Sequence, residues 1–409
     1  MPPVGTRLLV EVGAVAHGGH CVARHEGRVV FVRHALPGES VVVEVTGHGS
    51  KGRWLLADAV EVRAASPDRV APPCPWAGPG RCGGCDWQHA TLPAQRMLKQ
   101  DVVREQLHRL AGIDRPVVVE ALASPTPGDG APADDGLGWR TRVRYAVDAD
   151  GRAGLRRHHT HDIVPVDRCL IAHPRVQQAD ALGRTWPGAT WVEVVAASGE
   201  DDVVVLSGGA DDKPGRSPQV VHEHAGGHTF QVGAGRFWQV HPAAADTLRD
   251  AVLAFAAPEP SDHVVDLYAG VGLFAEGLAS RLGPGGRVDA VEGDRRAAGD
   301  AEVNLAAAGH AAAVHVHALP VERFVGRGPL RRCDVVVLDP PRTGARHPVV
   351  DAVAAWAPRR VVYVACDPAA LARDVARFAT HGYALTELRA FDLFPMTHHV
   401  ECVALLTRS

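Results

Sequence analysis

The sequence predicts a doubly wound α/β domain in the C-terminal part of the chain, preceded by a small N-terminal β-barrel and a central α+β segment. Three observations carry this. From about residue 231, β-branched runs alternate with helical stretches, as in a parallel sheet covered by helices. Three of those runs end in polar or reactive residues, Asp266, Asp339 and Cys366, and open α/β sheets bind ligands at that edge. Before residue 65, short β-rich runs are separated by Gly, Pro and charged residues, the pattern of a small all-β unit. The expected organisation is therefore 1–64, 65–230 and 231–409.

A chain of 409 residues is too long for one ordinary core. No apolar run approaches the roughly 20 residues of a membrane span, and the N-terminus MPPVGTRLLVEVG lacks the apolar region of a signal peptide. A cytoplasmic protein with no membrane partner is expected, and no protein partner is indicated. The net charge of −4 gives no bulk attraction for nucleic acid, so such a partner needs local patches. Eight cysteines in a chain of this size do not make a disulfide scaffold. In a reducing compartment their clustering points to metal binding or catalysis.

Within 1–64, the runs LLVEV (8–12), RVVFV (28–32) and SVVVEV (40–45) suggest a five-stranded OB-like barrel, a fold that commonly binds oligonucleotides. An SH3-like barrel has the same spacing. Seven basic and six acidic residues make it a weak electrostatic platform. Next come Cys74, Cys82 and Cys85, with two glycines between the last pair. Three thiols in so short a stretch imply a metal centre, zinc or iron–sulfur. Cys169 is the best fourth ligand, and His89 would instead complete a Cys3His zinc site. Residues 92–110 carry apolar side chains at helical spacing, and residues 121–138, rich in Pro, Gly and Asp, read as a surface loop. The alternating run from Trp139 places Arg140, Arg142 and Arg144 on one strand face, followed by Arg152, Arg156, Arg157, His158, His159 and His161. Arginine suits phosphate and base contacts.

In the C-terminal part, the loop after Asp266 carries Gly270-x-Gly272 but Ala at 275, so it is not the full dinucleotide fingerprint. Glu292 ends the next strand, where an acid can accept both ribose hydroxyls. With no pyrophosphate to cradle, an adenosine-bearing cofactor such as S-adenosylmethionine fits better than NAD. Asp339-Pro-Pro resembles the motif of amino methyltransferases, yet Arg342 stands where they place an aromatic ring. That argues against transfer to an exocyclic amine. Cys366 closes the following strand, with Asp367 as N-cap and Pro368 at the first helical position. A helix N-terminus lowers a thiol's pKa. Carbon 5 of uracil is not nucleophilic, but thiolate addition at carbon 6 makes it so. A base must then remove the carbon-5 proton. Glu401 is the candidate, with His398 and His399 near it, and Cys402 falls on the opposite strand face.

The set CGGC, DLYAGVG, DPPRTG, ACDPAALARD and FPMTHHVE closely resembles the RNA 5-methyluridine methyltransferase family of the TrmA type, in particular members with an N-terminal TRAM domain and a 4Fe–4S cluster. The resemblance spans essentially the whole chain. It implies a Rossmann-like methyltransferase domain acting on rRNA or tRNA. It further implies that Cys74, Cys82, Cys85 and Cys169 hold the cluster, that Cys366 is the nucleophile and Glu401 the base, and that Gln239, Tyr268, Glu292 and Asp339 contact the cofactor. Gly270 and Gly272 belong to the same cofactor loop. The chain departs from the family in a longer Cys74–Cys82 loop, in Asp367 for Asn and in His241 for Asn. The alternatives are an RNA 5-methylcytidine methyltransferase, which shares the thiolate chemistry, and a non-catalytic RNA-binding protein.

Overall fold

The computed structural model describes residues 2–122, 135–212, 215, 217–328, 330 and 332–408. Most of the loop expected at 121–138 lies outside the described residues. The N-terminal strands β1 (Arg7–Val15), β2 (Cys21–His25), β3 (Arg28–Arg33), β4 (Ser40–His48) and β5 (Trp54–Ala64) form a closed barrel in the order β1-β2-β3-β5-β4. Alternate residues fill it, among them Val10, Val12, Val30, Val32, Val41 and Val43, because successive strand side chains face opposite sides. Closure leaves no open sheet edge.

Helix α1 (Leu92–Gln106) starts where the Thr91 side chain accepts a hydrogen bond from the Ala94 amide. It continues through a wider π turn (Leu107–Ala111) and ends at Gly112, whose φ of 65° suits glycine. Its apolar side is shared. Ala94, Leu98 and Val102 pack into the barrel core, whereas Val103 and Leu107 join a core under the C-terminal sheet. The short strand β6 (Val119–Ala121) follows.

Strands β7 (Arg142–Val147), β8 (Ala153–Arg156), β9 (Ile163–Val164), β10 (Trp191–Val195) and β11 (Val204–Gly208) make a five-stranded sheet in the order β11-β10-β7-β8-β9, with helix α2 (Pro174–Gln178) beside it. A hairpin, β12 (Val220–Ala225) and β13 (His228–Gly233), leads to helix α3 (Ala244–Ala256). The expected arginine face on β7 is not what forms. Arg142 is buried and donates to the Ala234 and Arg236 carbonyls and to Glu223, tying β7 to the hairpin. Arg140 precedes the strand and donates to the Arg142 carbonyl, and Arg144 bonds Glu193 beside the Trp191 ring. With both Nη groups occupied and the side chain enclosed, Arg142 cannot serve as a phosphate contact.

The C-terminal elements are β14 (His263–Leu267), α4 (Leu273–Ala279), β15 (Arg287–Glu292), α5 (Arg295–Ala307), β16 (Val314–Ala318), α6 (Val321–Val325), β17 (Val335–Leu338), α7 (Arg346–Ala355), β18 (Arg360–Ala365), α8 (Pro368–Ala379), β19 (Tyr383–Asp392) and β20 (Glu401–Arg408). Their sheet has the order β16-β15-β14-β17-β18-β20-β19-β6, with β14 to β18 parallel and β20 antiparallel to β18. The central strands bury both faces, which is why Val264, Val265, Val335 to Val337, Val361 and Val362 are fully enclosed. Strand β6, from the stretch expected to belong to the central segment, completes the far edge of this sheet. No helix among the described residues is long and apolar enough to cross a membrane.

The chain between β19 and β20 is fastened to α1. Lys99, fully buried, places its Nζ 2.5 Å from Asp392 Oδ1 and donates to the Phe394 carbonyl at 3.0 Å. Gln95 accepts from the Met396 amide and donates to its sulfur. Removing one partner of a buried pair leaves the other charge stranded. Lys99→Ala should destabilise the protein by about 3–5 kcal/mol, whereas the paired Lys99→Met/Asp392→Leu change should recover most of the loss. Denaturant unfolding of the three proteins checks this; equal losses in the single and double variants would refute it.

Candidate active site

Asp266 closes β14, and the chain then turns through Tyr268, Gly270 and Gly272, all with positive φ (67°, 56° and 93°), before entering α4. A Cβ built on Gly270 would meet open space, so this turn leaves room for a ligand to approach the backbone. The Gly270 amide donates to Glu292 Oε2 at 2.9 Å and the Asp294 amide to Oε1 at 2.7 Å. Asp266 is buried with neither carboxylate oxygen hydrogen-bonded, the Ala275 amide lying nearby. Burial and the charges of Asp339 and Glu292 hold its pKa well above the ordinary value. Orphaned acid oxygens beside an open glycine turn fit an adenosine-bearing, positively charged ligand. Gln239 lies half-buried on the segment before α3, next to exposed Phe237.

Register brings the two reactive candidates together. Ala365 on β18 pairs with Cys402 on β20, so Cys366 and Glu401 sit side by side at the strand ends. Cys402 itself is fully buried, as the alternation requires. Cys366 is half-buried, and burial followed by the charges of Glu401 and Asp339 pushes its thiol up to about 12, with Arg342 opposing. Glu401 is held well above its ordinary value by burial and Asp339, again against Arg342, and Asp339 is raised to about 7 by burial and Glu292. The expectation that the helix N-terminus would depress the thiol is thus not met in the ligand-free protein. Desolvation and neighbouring acids outweigh the α8 amides.

Asp367 does cap α8, its Oδ1 accepting from the Ala370 amide at 2.7 Å. Its other oxygen lies 3.0 Å from Nε2 of His17 on the β1–β2 loop of the barrel. The same loop meets the 392–401 segment, where a Cβ on Gly19 would lie 2.7 Å from His398 Cβ. His398 Nδ1 is 2.7 Å from Asp86 Oδ2, and burial with the charges of His398 and Arg342 lowers His399 to about 3. His241 is buried and stacks on Trp139 with ring centroids 6.3 Å apart.

Cys74, Cys82, Cys85 and Cys169 lie within electrostatic reach of one another. Burial raises Cys82 to about 11 and Cys85 and Cys169 upward too. Two sulfurs accept hydrogen bonds, Cys82 from the Gly84 amide and Cys85 from Gln88. Gly83 is required here, since a Cβ would fall 2.4 Å from the His158 nitrogen. Among the described residues no three His, Cys, Asp or Glu side chains converge on a single metal ion. His89 instead packs its ring against His34, which gives the Cys3His zinc alternative no support.

A tRNA (uracil-5-)-methyltransferase family model matches residues 330–409, and a TRAM domain model matches residues 3–50. An uncharacterised RNA methyltransferase of Streptomyces avermitilis is 49% identical over 98% of both chains. A 23S rRNA (uracil(1939)-C(5))-methyltransferase of Alkalilimnicola ehrlichii is 34% identical, covering 98% of this chain and 96% of its own. The chain belongs to the RNA uracil-5-methyltransferase family. Its fold matches that of the Pyrococcus abyssi tRNA (uracil-54, C5)-methyltransferase solved with S-adenosyl-L-homocysteine, with a TM-score of 0.71 at 22% identity over 98% of this chain and all of that one.

Several residues shape this uracil-5-methyltransferase site without any signal in the sequence motifs. His17 and Gly19 reach it from the barrel, and Lys99 and Asp86 hold the 392–401 segment from outside the α/β domain. Their partners are 293 to 379 residues away in sequence, so no local pattern reveals them.

The acids carry a pH signature. An acid whose folded pKa exceeds its unfolded value binds more protons folded than unfolded, so stability falls as pH rises between the two. For Asp339 that window runs from its ordinary 3.8 to about 7, and Asp266 and Glu401 act in the same direction. Asp339→Asn should therefore melt higher than the parent at pH above 7 and nearly with it around pH 4. Ligand-free melting curves across that range would refute this if the two proteins stay together at high pH.

Proposed function

We propose that the protein methylates carbon 5 of a uridine in structured rRNA or tRNA, using S-adenosylmethionine and a covalent adduct to Cys366. The observation that carries this reading is the juxtaposition of Cys366 and Glu401 across β18 and β20, beside Asp339, whose charge also acts on Asp266. S-Adenosylmethionine, when bound, supplies the methyl group on a sulfonium. Asp266, Glu292 and Asp339, with the turn at Gly270 and Gly272, are the residues to hold it, together with Gln239 and Tyr268. A cation among these acids relieves the repulsion that raises their pKa values, and it offsets the charges that keep the Cys366 thiol protonated.

Cys366 Sγ, once ionised, adds to carbon 6 of the ring and leaves carbon 5 nucleophilic toward the methyl group. Glu401, ionised, takes the proton from the methylated carbon 5. As that proton leaves, the bond from sulfur to carbon 6 breaks and Cys366 departs as thiolate. Arg342, which lowers both groups, favours the charged form of each. The target base must leave its helix to reach this pocket.

Cys366→Ala should abolish methyl transfer, while Glu401→Gln should accumulate a protein–RNA adduct that survives denaturing electrophoresis. Isotope-labelled transfer into transcripts lacking either uridine or cytidine separates uracil from cytosine as the target. Normal turnover without adduct in Glu401→Gln would sink the assignment.

The four cysteines support a 4Fe–4S cluster with a structural role. Two of the sulfurs, Cys82 and Cys85, accept hydrogen bonds from a backbone amide and a side-chain amide, as cluster ligands do, and the charges of Cys74, Cys82, Cys85 and Cys169 act on one another as a set. Arg140 lies close enough to act on Cys82 and Cys169, so it can offset the charge of a thiolate-ligated cluster. Protein purified without oxygen should carry iron and acid-labile sulfide in equal amounts, and Cys85→Ser should lose both. Iron-free protein with zinc bound would overturn this.

A further inference from the structure

We propose that a cleft lined by arginines beside Cys366 is a phosphodiester-binding site, which holds RNA backbone next to the target nucleotide. The proposal rests on the RNA methyltransferase reading and deepens it. The cleft has a volume of about 570 Å³ and is lined by His17, Arg109, Arg342, Arg346 and Arg373, with Asp367 the one acid among its walls. Three parts of the molecule contribute to it. His17 comes from the barrel, Arg109 from the π turn after α1, and the others from the loop after β17 and from α8.

The guanidinium groups are free to bind. Among the described residues, the side chains of Arg342, Arg346 and Arg373 make no ion pair or hydrogen bond, and all three are exposed. Arg109 has only an exposed pair with Glu105 one turn away, the weak kind that solvent screens. Asp367 forms no ion pair with these arginines; its oxygens accept from the Ala370 amide and face His17, and its charge is one against four. Several other arginines of the same domain are paired, as Arg249 is with Glu276, Arg359 with Asp262 and Arg377 with Asp351. Four arginines thus line a single cleft in a chain of net charge −4, three of them without an ion pair among the described residues.

The walls are also fixed. Arg346 adopts φ of 65°, a conformation that a side-chain-bearing residue keeps only when its surroundings demand it. Here buried Asp374 accepts from the Ala345 amide at 2.7 Å, the Arg346 amide at 3.3 Å and the Tyr363 hydroxyl at 2.6 Å. Gly344 passes so close that a Cβ would sit 2.7 Å from Asp374 Oδ2. Planar guanidinium groups on a fixed wall suit the bidentate recognition of phosphate oxygens. A cleft of this volume accommodates backbone and sugar rather than a lone ion.

The test uses full-length protein and a fluorescent uridylate dodecamer, with affinity read by anisotropy over a range of salt. Arg346→Ala and Arg373→Ala should each weaken binding roughly tenfold and reduce the slope of log affinity against log salt by about 0.7–1. Unchanged affinity and slope in both would overturn the proposal. So would displacement of the RNA by inorganic phosphate beyond that of chloride at equal ionic strength, which would mark a small-anion site. Melting temperature and S-adenosylmethionine binding verify that each variant is folded. If Arg346→Ala loses its loop, Arg373→Gln on exposed α8 surface supplies the same reading. Should the parent protein methylate no uridine while the variants still lose salt slope, the functional reading falls and the site stands.

Discussion

The buried ion pair of Lys99 with Asp392 is the interaction on which the assembly of the site depends. Asp392 ends β19, Glu401 begins β20, and the chain between them has no regular strand or helix of its own. Such a segment has few ways to hold its shape, since its backbone groups need outside partners. Lys99 and Gln95 on α1 supply them from one side, and Asp86 next to Cys85 supplies them from another, through His398. Asp86 and Trp87 also donate both amides to the Met396 carbonyl. The position of Glu401 is therefore set by the cysteine loop and by the helix that packs on the barrel, as well as by its own strand.

This arrangement explains why a carboxylate can be kept at the end of a buried strand at all. Asp266, Asp339, Glu401 and Cys366 all resist ionisation, for the shared reason that each is desolvated and each lies near another acid. Such a pocket opposes stability, and active sites commonly do so. Its charge deficit is what a cationic cofactor supplies. On the proposed mechanism, affinity for a sulfonium would be linked to the ionisation of Cys366 and Glu401, so that both would be charged chiefly when the methyl donor is bound.

Much of this was legible in the sequence because it is local. Alternating β-branched runs gave the barrel and the parallel sheet, and strand-to-helix transitions with a cap and proline located Cys366 at an edge. The alternation of side chains put Glu401 toward the thiol and Cys402 in the core. Electrostatics was not legible. A helix N-terminus suggests a low thiol pKa, and only burial together with the three-dimensional placement of three carboxylates reverses that sign. The arginine strand failed for a similar reason. Alternation assigns Arg142 to a face, but whether that face meets solvent or the β12–β13 hairpin depends on packing between segments some 80 to 90 residues apart.

The barrel's contribution follows from the same geometry. A β-barrel on a flexible tether would add affinity for RNA by proximity alone. Here its β1–β2 loop touches Asp367, the cap of α8, through His17 and the 392–401 segment through Gly19, while Trp87 donates to the Gly19 carbonyl at 3.0 Å. Closed barrels resist deformation because every strand is paired, so that loop is presented from a stiff support. A stiff support in contact with both reacting ends fixes their separation, and a change at the barrel surface is felt at Asp367 and His398 before it is felt elsewhere. The barrel is thus a wall of the candidate site, and its β1–β2 loop holds Asp367, the cap of α8, in place.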